Sequence, residues 1–187
     1  MRTIVLFFLI FTASFFYGCT PDKVTVQVVR NPSIKFDYNS TTSWKADNFS
    51  FADITKVVVY PRDTTRQGIL YNRLMLQSSG RDNAGNNLQL IITFDAVDAA
   101  QLIGVYSPVY STQRGLAQVQ LFNLTNSSNL SAFNLCKDNT VNATFQIQKQ
   151  HASERLISGV FQMTLCNTRD STRKINIING TLTDIHY

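Results

Sequence analysis

Hydrophobic positions along this chain recur at every second residue. Val24, Val26 and Val28 alternate with Thr25 and Gln27, and Leu88, Leu90, Ile92 and Phe94 share one parity opposite Gln89 and Thr93. Val141, Ala143, Phe145 and Ile147 alternate with Asn142, Thr144, Gln146 and Gln148. A period of two sends successive side chains to opposite faces of an extended chain, which a helix of 3.6 residues per turn does not do. Further strands are predicted over 34–38, 54–60, 70–78, 117–123, 155–166, 173–179 and 181–187. Between them, NPS at 31–33, SSGRDNAGNN at 78–87 and the Asn/Ser-rich 123–131 carry turn chemistry. One short helical turn is predicted from Asp95, with Asp98 three residues on, Ala99 and Ala100 following and Gly104 closing it. About nine or ten strands with one helical turn predict an all-β, antiparallel β-sandwich, with a β-barrel as the alternative. Gly159, between Ile157 and Phe161, and Gly180, between Ile178 and Leu182, interrupt an apolar parity and read as bulges or close approaches. Trp44, Phe49 and Phe51 read as lids on the core.

Composition narrows the class. The chain has 187 residues, 44% hydrophobic and 16% charged, which suits one compact domain and excludes a disordered chain. Lys and Arg exceed Asp and Glu by 17 to 12, but no block of five like charges occurs, so nucleic acid is not an expected partner. From Cys19 onward, 59 of 169 residues are Ser, Thr, Asn or Gln. That uncharged polarity fits the wet face of a sheet.

The opening MRTIVLFFLIFTASFFYGC has one cation, Arg2, then an apolar stretch from Ile4 to Phe16. As a helix that stretch spans roughly 20 Å, short of the roughly 30 Å of a bilayer core, so residues 1–18 read as a signal peptide. Gly18-Cys19 resembles the bacterial lipobox, in which cleavage before the cysteine leaves its thiol joined to diacylglycerol. Phe16 and Tyr17 depart from the usual residues there. The alternative is an ordinary secretory signal with an incidental cysteine. Lipidation of Cys19 would make residues 19–23 a short tether to a single domain over 24–187. It would also leave Cys136 and Cys166 as an even pair for a disulfide in an oxidising compartment, against the alternative of two free thiols.

Four segments carry a wider resemblance: SWKADNFSF at 43–51, NLQLIITFDAVDAAQLIGVYSP at 87–108, ISGVFQMTL at 157–165 and INIINGTLTDIHY at 175–187. Together they resemble a group of uncharacterised Bacteroidota cell-envelope lipoproteins, with an I-S-G-x-F segment and a terminal N-G-x-(F/L)-x-D-I-x-Y. The resemblance implies an all-β domain held by its lipid to the outer membrane, and it carries over no catalytic residue. Surface-exposed members bear an acidic cluster after the lipidated cysteine. Here Asp22 stands beside Lys23, so the periplasmic side is expected.

Catalytic chemistry is sparse. His151 and His186 lie in no zinc-spaced cluster, and neither a metal nor a cofactor is expected. No nucleophile elbow, P-loop or dinucleotide fingerprint occurs. Asp95 and Asp98 form the nearest acidic pair and are better explained as helix-start residues. Tyr106, Tyr110 and Arg114 fall in GVYSPVYSTQRG, where aromatic faces and a guanidinium are candidates to meet a sugar or peptide. The polar YPRDTTRQ around Tyr60, Arg62 and Arg66 is a weaker candidate. Asp63-Thr64-Thr65 and Asp170-Ser171-Thr172 resemble the D-(S/T)-x acceptor of Bacteroidota envelope O-glycosylation, making Thr64 and Ser171 candidate acceptors. The expected function is a lipid-anchored, non-enzymatic envelope lipoprotein, structural or ligand-binding, with a glycan or envelope protein as candidate partner. The alternative is an envelope glycan hydrolase on the same scaffold.

Overall fold

The computed structural model describes residues 30–59, 69–125, 131–136 and 143–187. The expected signal peptide, Cys19, the strand expected at 24–28 and the candidate residues Tyr60, Arg62, Thr64 and Arg66 lie outside the described residues. Those described hold ten strands and no helix: β1 (Ser33–Tyr38), β2 (Thr42–Val59), β3 (Ile69–Asp82), β4 (Asn87–Ala96), β5 (Gly104–Tyr106), β6 (Arg114–Asn123), β7 (Ser131–Leu135), β8 (Thr144–His151), β9 (Leu156–Asn167) and β10 (Lys174–His186).

All pairings are antiparallel, in the order β10-β1-β2-β3-β4-β6-β7-β9, and β9 pairs again with β10. Eight strands therefore close into a barrel, the alternative named above; the sandwich is corrected. The reason lies where the ladder slips. The β2–β3 register shifts between Ala46 and Asn48 beside Gly80, the β8–β9 register between Ile147 and Lys149 beside Gly159, and the β9–β10 register between Ile177 and Gly180. At Gly159 a Cβ would overlap the Gln146 carbonyl oxygen, and at Gly180 the Phe161 carbonyl oxygen. Bulges and side-chain-free positions let a twisted sheet coil enough to meet its own edge. The two final predicted strands are accordingly one strand, β10, bulged at Gly180 and again between Leu182 and Ile185.

Closure is uneven along β9. Its Leu156–Gln162 half pairs with β8, which carries β5 as a branch, whereas only Leu165–Asn167 pair with β7. A Cys136–Cys166 disulfide, Cα atoms 4.9 Å apart, clamps this three-residue seam. At the other end the gap between β5 and β6 is bridged by the Leu116 N–H, which donates to the Ser107 carbonyl at 2.8 Å.

Inward parity fills the barrel. Leu88, Leu90, Ile92 and Phe94, with Ala143, Phe145 and Ile147, are buried as their alternation predicts. Phe36 stacks on Trp44 at 4.7 Å, and Phe94 meets Tyr106 at 4.9 Å and Phe145 at 5.0 Å. An eight-stranded barrel is just wide enough for side chains to fill, so the interior is core. Phe49 and Phe51 pack against it. The expected helical turn does not form. Asp95 is still in β4, and beyond it 98–101 make a single turn, in which the Gln101 N–H donates to the Asp98 carbonyl and the Ala100 N–H to the Asp98 carboxylate.

Candidate functional site

Antiparallel order brings the end of β1, the start of β4, the end of β6, the start of β7 and the start of β10 to one end of the barrel. Register places them side by side: Tyr38 faces Ile177, Leu88 faces Asn123, and Asn123 faces Ser131. A concavity of about 370 Å³ opens there, within the size range of small-molecule sites. Leu88, Leu121, Phe133 and Ile175 form its apolar floor; Asn39, Asn123 and Ser131 add polar groups; Arg173 and Lys174 stand at the rim, both exposed. Among the described residues that line it there is no carboxylate.

The polar wall is held by Asp82. Its carboxylate accepts the N–H of Ala84 at 2.9 Å, the N–H of Asn86 at 2.8 Å and the Asn86 side-chain amide at 2.8 Å, and Tyr38 donates its hydroxyl to the same group. Burial works to raise the Asp82 carboxyl, and the bonds from Tyr38, Asn86 and Ala84 outweigh it, leaving it below its usual range. Burial first, then the Asp82 bond, push the Tyr38 phenol well up. The Tyr38 hydroxyl at this mouth is thus committed as a donor to Asp82.

The rim is a tight turn between β9 and β10. Asn167 Oδ1 accepts the N–H groups of Arg169 and Asp170, and Asp170 accepts the N–H and hydroxyl of Thr172. These bonds from Thr172 lower the Asp170 carboxyl. Ser171 sits exposed at the tip. A shallower concavity of about 270 Å³ is lined by Asp47, Asn48, Gly80, Arg81, Asn87 and Leu88 among others.

Tyr106, Tyr110 and Arg114 come together at the opposite end. Tyr106 is fully buried and donates its hydroxyl to the Leu102 carbonyl at 2.7 Å. Arg114 lies over its ring at 5.7 Å and donates to the Ile103 carbonyl. Tyr110 packs edge-on to Tyr71 at 5.7 Å and donates to Asp95 Oδ2 at 2.6 Å. Burial, then the Asp95 bond, raise the Tyr110 phenol, and burial raises that of Tyr106. All three polar ends have partners within the chain, and the cluster fastens residues 107–113 to the barrel.

Asp95 is fully buried and paired with Arg73 through two bonds, at 2.9 and 2.8 Å. That bond pushes the Arg73 guanidinium further up. The acidic pair is thus split: Asp95 is a structural anion and Asp98 holds a turn. Both histidines are exposed, and the described residues hold no group of three His, Cys, Asp or Glu placed to share a metal ion. Sequence reasoning missed the mouth, whose lining comes from five separated strands; its one legible signal was the Arg173-Lys174 pair after a turn. No family model, curated protein or solved structure matches the chain.

Proposed function

We propose that this chain is a lipid-anchored bacterial envelope lipoprotein whose barrel is a non-enzymatic binding module, taking a small acidic amphiphile at its mouth. In this reading residues 1–18 are the signal peptide, Cys19 carries the lipid, and the protein stands on the periplasmic side of the outer membrane, among the Bacteroidota lipoproteins its motifs resemble. The mouth carries the binding part. An apolar floor beneath Arg173 and Lys174, with no carboxylate among the described lining residues, suits a molecule with an apolar body and an anionic head. The same lining favours binding over glycan hydrolysis, which needs paired carboxylates across the cleft.

Decanoate is the probe, with the decyltrimethylammonium cation as charge control. At a hundredfold excess over Kd a ligand stabilises by about 2.7 kcal/mol, roughly 5–10 °C in Tm for a domain of this size. Decanoate should raise Tm in the wild type and not in Arg173→Ala/Lys174→Ala. Equal shifts from the cation, or an undiminished shift in the variant, refute the site. Separately, Cys19→Ala should move the protein from the membrane fraction to the soluble periplasm, and unchanged membrane retention refutes the anchor.

A further inference from the structure

The two ends of the barrel differ in what they leave uncovered. Five of the seven large hydrophobic residues exposed among the described residues lie away from the mouth, at the start of β3 and along 97–109: Leu70, Val97, Ile103, Val105 and Val109, the last 69% exposed. They sit near one another by chain path and bonding. The Asn72 amide donates to the Val97 carbonyl at 2.9 Å, and the Val97 N–H donates to the Gln113 carbonyl at 2.8 Å. Ile103 and Val105 are two residues apart and so share a side of the chain leading into β5. Scattered exposed valines are ordinary, but a cluster confined to one end marks a contact surface.

The described chain also starts at this end, on the side from which the anchor segment leaves. β1 begins at this same end, with Ser33 opposite Thr183 near the close of β10. Eleven residues lie between Cys19 and Asn31, and the twelve steps reach at most about 43 Å. We infer that the end of the barrel bearing Leu70, Val97, Ile103, Val105 and Val109 rests in the interface of the bilayer that holds the anchor, so that the mouth faces away from it. The inference rests on the proposed lipidation of Cys19. Tethering makes the second contact intramolecular, at an effective concentration where a few partly exposed aliphatic side chains suffice. Nearby charges are mixed, Lys149 and Arg155 standing with Asp98 and Glu154, all exposed. Apolar insertion and not charge therefore drives the contact, and uncharged lipid is enough.

The test uses the full lipidated protein reconstituted in phosphatidylcholine vesicles, with a polarity-sensitive fluorophore on Val109→Cys, Val97→Cys or, at the mouth, Ser131→Cys. Labels at 109 and 97 should shift to the blue and be quenched by brominated acyl chains, while the label at 131 stays water-like. Adding Val105→Asp/Val109→Asp to the Val97→Cys protein should return its emission to water-like without loss of vesicle co-flotation. Co-flotation with all three labels water-like overturns the docking and leaves the anchor standing. A blue shift that appears without vesicles and grows with protein concentration assigns the face to a second copy and also overturns it. An unmodified Cys19 peptide mass overturns the anchor, and the inference with it.

Discussion

Arg73→Met should be among the most damaging single changes to a half-exposed residue. Asp95 is 0% exposed and Arg73 32% exposed, and they meet through two bonds at 2.9 and 2.8 Å, with Tyr110 adding a third to the carboxylate at 2.6 Å. Removing one partner of a fully buried pair costs about 3–5 kcal/mol, because the remaining charge is stranded. Water reaches the Arg73 side of this pair, so we set the loss at about 2–3 kcal/mol. For a domain of this size that lowers Tm by about 5–10 °C. Arg73→Met/Asp95→Asn removes the stranded charge while leaving an acceptor for Tyr110, and should recover at least half of the loss. Guanidinium denaturation followed by circular dichroism measures both, with an unchanged slope showing that compactness is unaltered. A loss under about 1 kcal/mol, the value of an ordinary surface pair, or a double variant no more stable than the single, would refute the stranded-charge argument.

Three further outcomes follow from the same geometry. Cys136→Ser/Cys166→Ser opens a loop of 30 residues and should cost roughly 3 kcal/mol, read as a fall in denaturation midpoint that reductant reproduces in the wild type. Gly159→Ala drives a Cβ into the Gln146 carbonyl and should cost about 2–3 kcal/mol, whereas Gly85→Ala, which has open space but a positive φ of 85°, should cost about 1 kcal/mol; equal losses at the two sites would contradict the close approach. The Asp82 carboxyl is held below its ordinary range, so its stabilisation is present above the unfolded value near 3.9 and is lost as pH falls through the lower folded value. Asp82→Asn should therefore flatten the acid limb of the stability profile below about pH 4, and an unchanged limb would argue against the carboxylate's role in the 83–86 turn.

Much of the strand map was legible because alternation is a local property. Each apolar residue in Leu88–Phe94 or Ala143–Ile147 declares its face with no knowledge of its partner strand, and these are the side chains found inside. Gly159 and Gly180 were readable as interruptions, since a missing side chain in an apolar parity has few other uses. The first half of β2 was not read as a strand because SWKADN mixes charge with aromatics. β5, at three residues, and β7, at five, are too short to show a period. The helical turn from Asp95 was misjudged for one reason: a carboxylate before small residues resembles a cap until Arg73, 22 positions away, is seen to hold it.

Sequence alone therefore determined that the described residues are built from antiparallel strands, which side chains of the alternating segments point inward, that Gly159 and Gly180 interrupt the ladder, and which two cysteines could pair. The tertiary structure decided what those strands enclose. Closure into a barrel depends on the accumulated coil of bulged strands and on a three-residue seam between β7 and β9, both set by long-range register that no local window contains. The mouth, built from five strand ends, and the apolar face at the far end exist only once that register brings distant residues together.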